Sequence, residues 1–372
     1  MWFFCVFCVS KGCQDPFLPI SYPFSCQSQQ RSTLEWTVNL PNNYVRKKTV
    51  FGIGIRFICR DTYSGPPFDK KALAENKTVI ITGANSGIGR EAAWEFARRG
   101  AKVFMACRDM QKCEVERREI VMETENKYVY CRPCDLASTA SVRRFVARFK
   151  SEEPHVHLLV NNAGVMDAPA GVTRDGFETH LGVNHLGHFL LTSLLLDTLK
   201  ASAPSRIVIV SSSAHFKGKI HKEDLNMTKK YDESAAYRQS KLANMLFARE
   251  LGRRLLGTGV SVIAVDPGLT STNITRHMSL SKSISRFFVY PLFWPFTKSS
   301  RMGAQVILHA ALDPKLADCT GDYYVDMKKA KQSEESQDFE LAQWLWKVSE
   351  KWTRSNENVP LEPLEQTVAR PA

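Results

Sequence analysis

Short apolar runs alternate with amphipathic stretches along the middle of this chain. "KTVIIT" (77–82) is a β-branched run that leads into glycines, and Ala92, Ala93, Phe96 and Ala97 follow at helical spacing, so strand, turn and helix are predicted in that order. The alternation continues with "KVFMA" (102–106), a charged helix near 109–124, "YVYCR" (128–132), and a helix presenting Val142, Phe145, Val146 and Phe149 on one face. Further strands are read at "HLLV" (157–160), "RIVIV" (206–210) and "VSVIAV" (260–265). Continuous apolar strands between such helices need cover on both faces. The expected fold is therefore α/β, a doubly wound Rossmann arrangement with a parallel sheet in a single domain.

Residues 1–70 show no sustained period and read as leader and linker, residues 71–330 as the domain, and residues 331–372 as a last amphipathic helix with a polar tail. The helix is expected to present Phe339, Leu341, Ala342, Leu345, Trp346, Val348 and Trp352. Trp2–Val9 and Thr49–Cys59 are apolar but short of a membrane span, and either could act as a weak anchor or be a targeting remnant.

Composition changes this picture little. A content of 44% hydrophobic residues suits a globular core, and the net charge of +12 permits anionic partners without choosing among them. No block of like charges marks a nucleic-acid module, so none is expected. Of ten cysteines, four lie in the first 26 residues, and a reduced state is expected. The pairs Cys5/Cys8 and Cys131/Cys134 have zinc-site spacing, but their settings argue against one and no metal is expected.

Candidate chemistry sharpens it more. "TGANSGIG" (82–89) closes the first strand and opens the first helix: Gly83 allows a tight turn, Gly87 a close approach to a pyrophosphate, and Gly89 close packing. Free N–H groups at the helix start would then face the phosphates. After the second strand Arg108 comes first, suited to a 2′-phosphate, while Asp109 is placed to cap the next helix. NADP (NADPH) is the expected cofactor. In "YRQSK" (237–241) Tyr237 and Lys241 stand one helical turn apart and share a face. A phenol titrates near about 10, and a neighbouring cation lowers that value, so the pair can act as a general acid/base for the oxygen of a carbinol.

With "NNAG" (161–164), "VNHLGHF" (183–189), "VSSSAHF" (210–216) and "DPGLTST" (266–272), these motifs resemble the short-chain dehydrogenase/reductase family over about Lys77 to Tyr324. The longer strings "CRDM", "GVNHLGHFLLT" and "SKLAN" are similar to its retinol dehydrogenase branch, whereas residues 1–60 depart from it. The resemblance implies that Tyr237, Lys241, Ser212 and Asn184 are catalytic. Ser212 would bond the substrate oxygen, chosen over Ser211 and Ser213 because it matches the family position. Asn184 would support a water that relays protons to Lys241, or else be a helix amide bonded to backbone.

The implied cofactor contacts are Gly83, Asn85, Ser86, Gly87, Ile88, Gly89, Arg108, Asp135, Leu136, Asn162, Ala163, Gly164, Tyr237, Lys241, Pro267, Gly268 and Thr272. Asp135 and Asn162 would lie by the adenosine, and Thr272 by the carboxamide. His185, His188 and His215 are read as groups for packing or local hydrogen bonding, and Arg238 and Gln239 as solvent-side spacers. The apolar segment 284–296 falls where the family places its substrate lid, so a hydrophobic small molecule is the expected partner, together with membrane-surface contact and a homo-oligomer.

The implied activity is NADP(H)-dependent interconversion of a hydrophobic alcohol and its aldehyde or ketone, retinol and retinaldehyde first among them. The alternatives are a reductase of steroid or lipid-derived carbonyls and a non-catalytic NADP-binding scaffold. The expected location is a mitochondrial or endoplasmic-reticulum membrane, or the cytoplasm if the leader is not an anchor.

Overall fold

A computed structural model describes residues 67–68, 71–166, 168–268, 270 and 298–357. Thr272, the segment 284–296, the tail beyond 357 and the expected leader apart from Pro67 and Phe68 lie outside them. Phe68 is buried in the core and donates from its N–H to Gln305 Oε1 at 2.9 Å, so the domain begins a few residues before the expected boundary at 71. One eight-stranded sheet runs in the order β3-β2-β1-β4-β5-β6-β7-β8. Its strands are β1 (Thr78–Thr82), β2 (Lys102–Cys107), β3 (Val129–Pro133), β4 (Leu158–Asn161), β5 (Ser205–Val210), β6 (Val260–Asp266), β7 (Asp322–Val325) and β8 (Lys328–Lys329). All pairs are parallel except β7 with β8.

The helices are α1 (Gly87–Arg98), α2 (Met110–Thr124), α3 (Thr139–Glu152), α4 (Gly187–Ala201), α5 (Glu233–Arg254), α6 (Ser300–Leu312) and α7 (Phe339–Thr353). Alternate residues of each strand point to opposite faces, which divides the core in two. Val79, Ile81, Val103 and Met105 pack with Phe96, Ile120 and Ile307 on one face. Ile80, Phe104, Leu159 and Ile207 pack with Phe149, Phe189, Met245 and Leu251 on the other.

The six expected strands are present, each within a residue or so of its predicted ends. β7 was not foreseen, because the run "DYYV" has only four residues and begins on a polar one. α7 covers the expected terminal helix. Leu341, Ala342, Leu345 and Trp346 are buried, but Phe339 at its first turn is 47% exposed. Cys131 is joined to Cys113 in a disulfide, so it is not half of a CxxC pair and departs from the reduced state expected.

The strand order reverses direction between β1 and β4, and ligands of such sheets bind beyond the carboxyl ends of the strands at that point. Gly83, Arg108, Asp135, Asn162, Ser212 and Pro267 all follow within three residues of a strand end. The topology thus gathers on one edge residues that are scattered over 185 positions of sequence, from Gly83 to Pro267.

Candidate active site

The glycine turn leaves β1 at Gly83, whose φ of +66° lies in the left-handed region that favours glycine. A side chain at Gly89 would stand 2.4 Å from Asn162 Nδ2 and 2.5 Å from the Gly83 carbonyl, so helix and turn can approach only without one. Ser86 is the N-cap of α1, yet its side chain makes no capping bond, and the first turn carries no acidic residue. The helix start therefore presents backbone donors and a positive dipole end that no acidic side chain of its own first turn satisfies. That fits a pyrophosphate bound against Asn85, Ser86, Gly87 and Ile88.

Asp109 accepts from Lys112 N at 3.0 Å and caps α2, while Arg108 is exposed beside it. Arg90 is bound to Glu91, Glu116 and Glu119 within 3.2 Å and so is held in its own ion cluster. Asp135 accepts from Ala137 N, and Leu136 is buried next to it. Asn162 donates from Nδ2 to Thr82 O at 2.8 Å: its side chain ties the ends of β1 and β4 together rather than standing free.

Thr82 was not singled out in the sequence. Its hydroxyl accepts from Asn162 N and Ala163 N, both at 2.9 Å, and lies 2.8 Å from His188 Nε2. One hydroxyl thereby organises the "NNAG" turn.

Asn184 lies in a π-helical turn, Gly182–Leu186, that leads into α4. Its amide donates to Val165 O at 3.0 Å and Ser240 Oγ at 2.9 Å, and accepts from Val165 N at 2.8 Å. Both donors are used on neighbours, one backbone carbonyl and one side-chain hydroxyl. A Cβ on Gly164 would fall 3.3 Å from Asn184 Oδ1 and 3.8 Å from Lys241 Nζ, which puts this loop against the lysine.

Tyr237 and Lys241 lie on α5, with Nζ 5.7 Å from the centre of the phenol ring. Lys241 is 3% exposed and donates to Val210 O at 3.2 Å. Burial pushes its ammonium down to about 8, and Asp266 opposes that shift. The three serines separate cleanly. Ser211 is buried and donates to Lys241 O. Ser212 is half-buried at the start of a 3-10 turn, Ser213–Lys217, and its hydroxyl accepts from Ala214 N. Ser213 is exposed.

Pro267 and Gly268 follow β6, with Gly268 at φ +75° and its N–H on Asp266. His185, His188 and His215 are all buried and bonded, to Ser349, to Thr82 and Asn184, and to Ser212 and Ser333 respectively. Burial depresses all three imidazoles, His185 to about 3 and His188 to about 4.

Gln239 corrects the expectation of a solvent-side spacer: it is fully buried, accepting from His221 N and donating to Leu225 O, both at 2.9 Å. The loop before α5 folds over this face of the helix, which helical periodicity alone does not reveal. Glu178 and His180 form a second buried pair missed in the sequence, at 2.8 Å, with the imidazole ring edge-on to Tyr237.

The sheet order and this strand-end cluster define the class: the chain belongs to the short-chain dehydrogenase family, matched over residues 77–282, and is an oxidoreductase enzyme. Within that family it lies in the retinol dehydrogenase branch. It is 48% identical over 298 residues to human retinol dehydrogenase 13, covering 80% of this chain and 90% of the relative. It is 51% identical over 273 residues to human retinol dehydrogenase 12, covering 73% and 85%. Among solved structures, an uncharacterized protein from Mycobacterium paratuberculosis is 36% identical, with a TM-score of 0.61 over 76% of this chain and 95% of that one. RhlG of Pseudomonas aeruginosa, in a complex with NADP, shares the fold at 23% identity and a TM-score of 0.55, over 69% and 97%.

Proposed function

We propose that this enzyme uses NADP(H) to interconvert a hydrophobic alcohol and its aldehyde or ketone, with retinol and retinaldehyde the first pair to test. The observation that carries the reading is the buried Lys241 ammonium 5.7 Å from the ring of Tyr237. A cation in a desolvated site stabilises a phenolate, so it brings the phenol closer to the pH at which a substrate oxygen exchanges its proton.

When bound, NADPH supplies a hydride to the carbonyl carbon. Tyr237 then gives its phenolic proton to the carbonyl oxygen, and Ser212 holds that oxygen by a hydrogen bond. In the oxidative direction Tyr237 takes the proton back. Asn184 Oδ1 keeps one lone pair beyond its bond to Val165 N, and a Cβ on Gly164 would lie 3.3 Å from it and 3.8 Å from Lys241 Nζ, so a water at that point would bond both groups and relay protons to the lysine.

Arg108 supports NADP over NAD: it is exposed at the tip of β2, and Asp109 is committed to α2. For the substrate, Phe216 is 48% exposed on the turn that Ser212 begins, and the aromatic segment 284–296 follows Gly268 in sequence. Retinol dehydrogenases 12 and 13 are among the relatives that the chain matches. The apolar stretches Trp2–Val9, Thr49–Cys59 and 284–296 support residence at a mitochondrial or endoplasmic-reticulum membrane. Among the described residues no helix is long and apolar enough to cross one.

NADPH consumption with retinaldehyde, compared between the wild type and Tyr237→Phe, tests the activity. A loss of about 100-fold or more in the variant is expected. Equal rates in the two, or none in either, would overturn the reading.

A further inference from the structure

Asp266 ends β6 and is 4% exposed. Its Oδ2 accepts from Ser213 N at 2.6 Å and Tyr323 OH at 3.2 Å, and its Oδ1 accepts from Gly268 N at 2.7 Å. A buried carboxylate with three converging donors is a fixed charge rather than a surface accident. The donors come from places that matter. Ser213 follows Ser212, Gly268 closes the turn after β6, and Tyr323 anchors the carboxylate from β7.

Lys241 lies close by. Its ammonium bonds Val210 O, and Val210 is paired in register with Val265, the residue before Asp266. The ionisable groups facing Asp266 are Lys241 from α5, His215 from the 3-10 turn and Tyr323 from β7. Lys298, against Gly268, is paired with Asp326. Burial holds His215 below its ordinary value and Tyr323 well above its own, so both are neutral near pH 7, and Lys241 is the cation of the group.

We propose that Asp266 is a positioning residue of the catalytic centre: its carboxylate locks the turn bearing Ser212 to the Pro267–Gly268 turn and is the counter-charge of the Tyr237–Lys241 pair. The proposal rests on the acid/base reading of that pair. It gives the Ser212 hydroxyl a rigid mount, and it keeps a proton on Lys241 and Tyr237 to higher pH than burial alone would allow. A nearby anion stabilises every protonated state of a coupled pair, so removing it lowers both of the pair's apparent pKa values.

Asp266→Asn is close in shape and neutral, and its amide turns a donor toward a donor. In this variant kcat for carbonyl reduction falls more than KM rises, and the alkaline limb of the rate profile moves to lower pH by on the order of one unit. The titration of Tyr237, read as the ultraviolet phenolate difference between each protein and its Tyr237→Phe counterpart, moves the same way without any turnover. Tyr323→Phe removes a donor but keeps the charge, so it lowers thermal stability and leaves limb and titration in place. Asp266→Ser, which leaves room for water, carries the same expectation where Asn does not fold. A limb and a titration unmoved from the wild type overturn the proposal even if the rate drops, because the loss is then one of packing alone. If the wild type reduces no carbonyl, the activity reading falls, while the phenolate titration still decides the role of Asp266.

Discussion

Thr82 and His188, 106 positions apart, meet at 2.8 Å between Oγ1 and Nε2. His188 Nδ1 lies 3.0 Å from Asn184 O and must donate there, so Nε2 accepts and the threonine hydroxyl donates. With its one proton spent on the histidine, Thr82 has two lone pairs left for Asn162 N and Ala163 N. The "NNAG" turn therefore depends on a neutral imidazole.

The first prediction is a loss of stability in mild acid. His188 is folded with a value near about 4, against about 6.5 when unfolded. A depressed histidine favours the fold when neutral, so its contribution is whole above about 6.5 and is lost as pH falls toward 4. Chemical denaturation should show about 2 kcal/mol lost through this residue between pH 7 and 5. His188→Gln should be less stable at pH 7 but flatter with pH. An unchanged slope would show that other groups govern the acid limb.

Gln239 should matter for the fold rather than for the chemistry. Gln239→Leu leaves the buried Leu225 O without its partner, at about 1–3 kcal/mol, and frees His221 N, which water reaches because His221 is exposed. Urea denaturation should register a drop of that order. A variant as stable as the wild type would mean that water replaces the amide.

Alanine should weaken NADPH binding at Gly89 but not at Gly176. At Gly89 the methyl meets Asn162 and the Gly83 carbonyl at 2.4 and 2.5 Å, so Gly89→Ala should displace the turn and weaken NADPH binding about tenfold or more. Gly176 has φ +81° with nothing within 4 Å of a Cβ. Gly176→Ala should cost only about 1 kcal/mol of backbone strain and leave NADPH affinity intact. Fluorescence titration with NADPH on both proteins checks the contrast.

Arg108 should decide between the cofactors. Arg108→Glu places an anion where a 2′-phosphate would lie, so KM for NADPH should rise about 100-fold or more while NADH is used as well as before or better. Steady-state rates with each cofactor test this, and an unaltered preference would move the selectivity to another residue.

Much of this protein is determined locally. The apolar runs of β1 to β6 are short, continuous and separated by helical spacing, so class, strand sequence and sheet type follow from periodicity. Motifs such as "TGANSGIG" and "YRQSK" are legible because their chemistry is confined to a single turn of chain. Even the cap formed by Asp109 is local, three residues from its donor.

What only the tertiary structure decided are relationships between turns that lie on different strands. That Gln239 is buried, that Thr82 serves the "NNAG" turn through His188, and that Asp266 binds Ser213, Gly268 and Tyr323 depend on which strand ends become neighbours. A side chain's burial and bonding are set by what packs across from it. No single stretch encodes that packing, because the strand order 3-2-1-4-5-6-7-8 brings it about only when the sheet closes.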